Sequence, residues 1–164
     1  SMMTVLISEY LSSQKNEFRV VHNVNVSPHA LKMMKNNNVE LYKCKVGHSN
    51  IKKMMRDVDA DFGGEHSAHF YYRDNFYADS AILTLLIFMK LLSSNKEKLS
   101  SIIDNYNFPP SSGEINFSVE DINESISKIK SIFEGEFDQT DGLSCLHRNF
   151  WFNVRGSNLS LIHI

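Results

Sequence analysis

The chain is poor in cysteine. It has two in 164 residues, Cys44 and Cys145, far apart and with no Cys-x-x-Cys spacing. That excludes a disulfide-stapled scaffold or a cysteine-rich zinc module and predicts reduced thiols, as in the cytosol. Three prolines and seven glycines are too few for a fibrous or linker-like chain. Basic charge is not in excess: Lys and Arg number 17 against 19 Asp and Glu, and the pI is near 6.4. No electrostatic footprint for nucleic acid follows from that balance. Long apolar runs are missing too. Ala81 to Leu92 covers about 12 residues and contains Lys90, whereas a membrane-spanning helix needs about 20. The run predicts a buried helix. The opening SMMTVLISEYL lacks a basic leader and a small-residue cleavage site, so it does not read as a signal peptide. No solenoid-length repeat is visible.

What remains is 42% hydrophobic and 22% charged, the composition of one or two folded domains. Thr4 to Leu11 is apolar at helical spacing, and FRVVHNVNV (18–26) alternates like a strand. Ser27-Pro28 is a helix start, and the asparagine run 36–38 is a helix stop. VELYKC predicts a second strand. After the turn KVGH, Ser49 is placed to cap a helix with Ile51, Met54 and Met55 on one face. Two aromatic strand-like pieces flank the loop GGEHSAHF, and Asp79 or Ser80 starts the apolar helix, which runs to about Ser94. This alternation argues an α/β fold. Pro109, Pro110 and Gly113 mark a domain boundary. Beyond it, GEINFSV predicts a strand. A helix with Ile122, Ile126, Ile129 and Phe133 in one stripe and the strands GLSCLH and NFWFNVR complete a βαββ, α+β module.

The loop Gly63 to Phe70 concentrates convertible chemistry. Paired glycines allow positive φ and close backbone approach to a ligand. A Glu65 carboxylate accepts hydrogen bonds, while Ser67 donates and accepts, a combination suited to sugar hydroxyls. His66 and His69 are general acid or base candidates. The same stretch is also compatible with a plain surface turn. Zinc is disfavoured, because Glu-His-x-x-His is not the helical His-Glu-x-x-His order and no third ligand lies nearby in the sequence; no metal is expected at this loop.

Four stretches, KVGHSNIKKMMRD, FGGEHSAHFYYRDNFYADS, SSGEINFSV and FWFNVRGSN, resemble in order and spacing the C-terminal half of the α-D-phosphohexomutases, specifically the bacterial phosphomannomutase/phosphoglucomutase branch. The resemblance runs from about Phe18 to Asn158. It implies a four-domain enzyme that moves a phosphoryl group between positions 1 and 6 of a hexose through a phosphoserine and a hexose 1,6-bisphosphate, with Mg²⁺. In such enzymes a Gly-Glu-x-Ser-Gly-His loop reads the sugar. Matched to this chain, Gly64, Glu65 and Ser67 would take ring hydroxyls, and His69 would sit at the reacting oxygen as the catalytic candidate. Gly47 and His48 match a substrate-contacting turn. Arg155, Ser157 and Asn158 match a loop that clamps the phosphate not reacting.

The resemblance sets domain expectations: residues 1–104 as the sugar-binding third domain, with its N-terminus incomplete, and 105–158 as a truncated α+β phosphate-binding domain, TATA-binding-protein-like. Residues 159–164, LSLIHI, replace the family's Thr-Glu-Pro continuation and match a translated sequencing adaptor, so a non-native tail is expected. Ala68 stands where the family has glycine. Asn25 stands where many relatives have lysine or arginine. The phosphoserine loop and the Asp-Gly-Asp-Gly-Asp metal loop are absent from this sequence, so the chain alone is expected to be inactive, with its partner domains and Mg²⁺ ligands elsewhere. A phosphoglucosamine mutase is the nearest alternative, although its loop carries glutamine where His66 stands. The other is a non-catalytic sugar-phosphate binding module.

Overall fold

The computed structural model describes residues 2–35 and 39–156. The chain divides into two compact units, Ser1–Pro110 and Ser111–Ile164. The first contains α1 (Met2–Ser12), β1 (Phe18–Asn23), α2 (Pro28–Lys35), β2 (Val39–Cys44), α3 (His48–Asp57), β3 (Phe62–Gly64), β4 (Phe70–Tyr72), β5 (Ala78–Asp79), α4 (Ala81–Ser94) and α5 (Leu99–Asn105). Its five strands form one mixed sheet in the order β2-β1-β3-β4-β5. Strand β1 runs parallel to β2 and β3, and β3, β4 and β5 are joined antiparallel. This is the α/β architecture that the alternation of elements predicts.

Side chains on a strand alternate between faces, so β1 serves two cores. Phe18 and Val20 meet Val5 and Ile7 of α1, Ala30 and Met34 of α2, and Phe62. Val21 points the other way and joins Ile51 and Met55 of α3, Cys44 and Tyr71. A strand covered on both sides needs apolar residues at consecutive positions. Val20-Val21 supplies them.

Local chemistry explains the helix starts. The Ala30 N–H donates to Ser27 Oγ at 3.2 Å, as the Ser27-Pro28 signal predicts. Ser80 caps α4 by accepting from the Leu83 N–H at 3.2 Å. Helix α3 corrects the expectation for Ser49: it begins at His48, and its cap is Gly47, with no side-chain cap bond. At φ of 123° Gly47 occupies backbone space that only glycine enters cheaply. The asparagine run 36–38 lies outside the described residues.

The apolar run that predicts a buried helix is α4, and the structure corrects this. Ile82, Leu85, Leu86 and Met89 are exposed, between 56 and 73%, and only Leu91 is buried. Helix α4 meets α1 with one face, through Phe88, Leu91 and Leu92. The helix that is buried is α1: Val5 and Ile7 face the sheet, while Leu6 faces Leu91 and Ile102. Apolar composition alone does not separate a helix covered on two sides from one covered on one. Helix α5, for which no sequence signal is noted above, supplies Ile102 to this layer.

The second unit contains α6 (Ile122–Ile132) and the antiparallel strands β6 (Glu136–Asp138), β7 (Leu143–Leu146) and β8 (Trp151–Val154), in the order β6-β7-β8. The helix and the last two strands match expectation, and β6 was not foreseen. GEINFSV does not form a strand. Alternation makes a strand only where an edge accepts its hydrogen bonds, and Ile115, Phe117 and Val119 instead lie 50 to 80% exposed. Cys44 and Cys145 are both buried and form no disulfide. No helix among the described residues is long and apolar enough to cross a membrane.

Candidate functional site

The carboxyl ends of the three parallel strands converge on one spot. Strand β1 ends at Asn23, β2 leads into the Gly47-His48 turn, and β3 delivers Glu65. Open α/β sheets place their ligand sites at this end, because the loops there fan outward from a rigid base. The chain then returns through Ser67, Ala68 and His69 into β4.

Glu65 is the hub, and its side chain is only 3% exposed. A buried carboxylate needs hydrogen-bond donors. Oε1 accepts from Asn23 Nδ2 and from the Gly47 N–H, both at 3.3 Å. Oε2 accepts from the Tyr71 hydroxyl at 3.2 Å and from Ser67 Oγ at 3.5 Å. Burial, followed by the neighbouring Glu65 charge and hydrogen bond, pushes the Tyr71 phenol well above its ordinary range. Tyr71 is therefore a permanent donor, and Glu65 is held in one orientation by three segments of the chain.

The open side of the hub carries the sequence-predicted residues. Ser67 Oγ lies 3.0 Å from His69 Nδ1, which is 3.5 Å from Glu65 Oε2. The His48 and His69 rings meet edge to face with centroids 4.5 Å apart, and His48 lies edge-on to Tyr71 at 5.6 Å. The fold thus brings Gly47, His48, Glu65, Ser67 and His69 together, with Gly64 at the end of β3. His66 is exposed. Arg155 follows β8 in the second unit, where Nη1 donates to the Gly156 carbonyl at 3.4 Å. Ser157 and Asn158 lie outside the described residues.

The positive φ expected of the glycine pair is not found, and the pair serves helix packing. Neither Gly63 nor Gly64 has positive φ. A Cβ on Gly64 would sit 2.5 Å from Thr4 Cγ2, and one on Gly63 would sit 2.7 Å from Met55 Sδ. The pair lets α1 and α3 close on β3 from opposite faces. Positive φ falls instead on Ala68, at 66°, between Ser67 and His69.

Several partners were not singled out from sequence. Asn23 and Tyr71 orient Glu65, and Asp79 lies 3.8 Å from His48 Nδ1 and 3.5 Å from Lys52 Nζ. The one signal for Asn23 was a polar residue closing an apolar strand. Tyr71 reads as a core aromatic, and only the fold shows its hydroxyl turned to the site. Asn25, the departure noted above, uses its backbone N–H to bond Asn23 Oδ1 at 3.1 Å, which steadies Asn23.

Comparison with known proteins bears on this arrangement directly. Residues 1–107 match the family model described as phosphoglucomutase/phosphomannomutase, alpha/beta/alpha domain III. The chain belongs to the phosphoglucomutase/phosphomannomutase family. Over 158 residues this phosphohexomutase chain is 34% identical to a phosphomannomutase of Methanocaldococcus jannaschii, covering 96% of the chain and 35% of that protein. A phosphomannomutase of Escherichia coli strain K12 is 38% identical over 118 residues, covering 70% of the chain and 26% of the relative. A phosphoglucomutase/phosphomannomutase family protein of Burkholderia thailandensis shares the fold, with a TM-score of 0.82 at 22% identity over 96% of this chain and 34% of that one. The phosphohexomutase chain thus spans about a third of the length of the relatives it matches.

Proposed function

We propose that this chain is the sugar-binding and phosphate-binding part of a phosphohexomutase that interconverts hexose 1-phosphate and hexose 6-phosphate through a phosphoserine and a hexose 1,6-bisphosphate. The observation that carries the reading is the Glu65 carboxylate, buried, fixed by Asn23, Gly47 and Tyr71, and opening through Oε2 onto Ser67 and His69. An oriented acceptor beside a hydroxyl and two imidazoles suits the adjacent hydroxyls of a sugar ring. Glu65 and Ser67 hold those hydroxyls, with the Gly64 backbone beside them. His48 borders the ring, and His69 exchanges a proton at the reacting oxygen. Arg155, with Ser157 and Asn158, clamps the other phosphate through charge-assisted hydrogen bonds.

The serine that carries the phosphoryl group and the ligands of Mg²⁺ belong to domains outside this chain, so the chain alone turns over no substrate. Mg²⁺ prefers oxygen donors. The His48, Glu65, His69 trio supplies two imidazoles and does not fit it. Residues 105–158 represent part of a TATA-binding-protein-like α+β domain, followed by a non-native tail at 159–164. The unpaired apolar alternation at Ile115, Phe117 and Val119 and the exposed face of α4 support a larger protein that covers them.

Titration of the chain with mannose 1-phosphate, read by ¹H–¹⁵N NMR, tests the reading. Shifts centred on residues 63–69 and Gly47, with a dissociation constant in the millimolar range, near -4 kcal/mol, are expected. Shifts confined to other surfaces would overturn it.

A further inference from the structure

We propose that His48, Glu65 and His69 form a binding site for a zinc-class divalent cation, overlapping the sugar site. The sequence argument against a metal rested on the Glu-His-x-x-His order, which pairs His66 with His69, and on the lack of a third ligand nearby. The fold supplies one from the turn before α3. Each of the three residues offers a ligand atom within 4.8 Å of the others. Ligands about 2.1 Å from a tetrahedral zinc lie about 3.4 Å from one another. Glu65 Oε2 and His69 Nδ1, at 3.5 Å, already meet that spacing. The spacings to His48, none wider than 4.8 Å, exceed the tetrahedral one by at most about 1.4 Å. The His48 side chain is 47% exposed and contacts the His69 and Tyr71 rings only edge-on, which leaves room for a small ring movement.

The donor set itself chooses the ion. Two imidazoles and one carboxylate form the three-ligand set of open zinc sites, with the fourth position left for water or another oxygen. Imidazole donors select zinc, cobalt, nickel or copper over magnesium or calcium. Outer partners are present too. Glu65 is oriented by Asn23, the Gly47 N–H and Tyr71, so Oε2 faces His69, and a cation there takes the place of the long Ser67 hydrogen bond. Asp79 lies 3.8 Å from His48 Nδ1, a carboxylate behind a ligating histidine. That leaves Nε2 of His48 as the metal-facing nitrogen. Lys52, 3.5 Å from Asp79 and 5.8 Å from the centre of the Tyr71 ring, limits the negative potential and favours moderate over tight affinity.

The cation site follows from this geometry alone, whereas its competition with sugar rests on the proposed function. Ser67 and His69 are the groups that function gives to the sugar, so a bound cation and a hexose phosphate exclude one another.

The experiment titrates the 164-residue chain with Co²⁺ and follows the visible ligand-field bands of four-coordinate cobalt, with Zn²⁺ then displacing them. A micromolar zinc dissociation constant is expected. His48→Ala and His69→Ala should each weaken it at least tenfold while leaving the amide NMR spectrum of the first unit folded. Saturating mannose 1-phosphate should lower the apparent zinc affinity. Absence of cobalt bands in the folded chain overturns the site, as does zinc affinity unchanged in both variants. Zinc binding that is lost in both variants yet indifferent to mannose 1-phosphate upholds the cation site and overturns the sugar role of the loop.

Discussion

The two units use similar ingredients to different effect. In the first, helices lie on both faces of a five-stranded sheet, so consecutive residues of β1 are fully buried and the apolar side chains of α1, α2 and α3 find partners. In the second, a three-stranded sheet stands beside a helix with no buried residue, and Leu143 and Cys145 are the only buried side chains among the described residues. Ile122 and Ile132 of α6 are 49 and 71% exposed. Stability follows apolar area removed from water, so equal amphipathic patterning yields unequal cores. The unit that holds the hub of the site is the one with the closed core, and a carboxylate held by donors from three segments needs that rigidity.

The largest expected effect is the separation itself. Native-state hydrogen exchange should show β1 and β3 protected by at least about 4 kcal/mol more than β7 and β8, within the range that globular cores span. Equal protection in both units would break the comparison.

Acid should narrow the gap. Burial, against an opposing hydrogen bond to the Asn23 carbonyl and with repulsion from Lys43 and Lys35, lowers the His22 pKa from 6.5 to about 4. The unfolded chain therefore binds the proton first as pH falls below 6.5, and the first unit loses stability from there down to about 4, by roughly 3 kcal/mol in all. Asp61 acts in the same direction at lower pH. Burial opposes its ionisation, but hydrogen bonds from Lys15 and the Arg19 N–H, with the Arg73 charge, hold its carboxyl below the usual range. Denaturant melts of His22→Gln should show a flatter pH dependence between pH 6.5 and 4. An unaltered slope would remove His22 from the account.

Next comes Gly64→Ala, whose added methyl meets Thr4 of α1. Overpacking of this kind costs about 2 kcal/mol, and differential unfolding should locate the loss in the first unit alone. Smallest is Ala68→Gly. Releasing an alanine from φ of 66° should stabilise the first unit by about 1 kcal/mol, visible as a raised denaturation midpoint with an unchanged slope. No change would mean that the loop tolerates alanine without strain.

Much of the first unit was legible because its signals are local. Ser27-Pro28 and Ser80 announce helix starts, and the alternation in FRVVHN and VELYKC announces strands. The loop residues Glu65, Ser67 and His69 were legible as a cluster for the same reason. What escaped depends on distance along the chain. Asn23 and Glu65 are 42 residues apart, and no local pattern links them. Strand β5 has two residues, too few for any period to show. Burial of α1 rather than α4 depends on which helix has a neighbour on its outer face, and GEINFSV fails as a strand for want of a partner; both are properties of the assembled fold.

The glycine pair also determines how the site moves. With Thr4 pressed to one face of β3 and Met55 and Ile51 to the other, the strand that carries Glu65 has no slack of its own. Its position is tied to two helices, whereas Ser67 and Ala68 at the tip are exposed and lie beyond that packing. The pocket floor is therefore an anvil rather than a lid. Any displacement of Glu65 carries β3, α1 and α3 with it as a single piece.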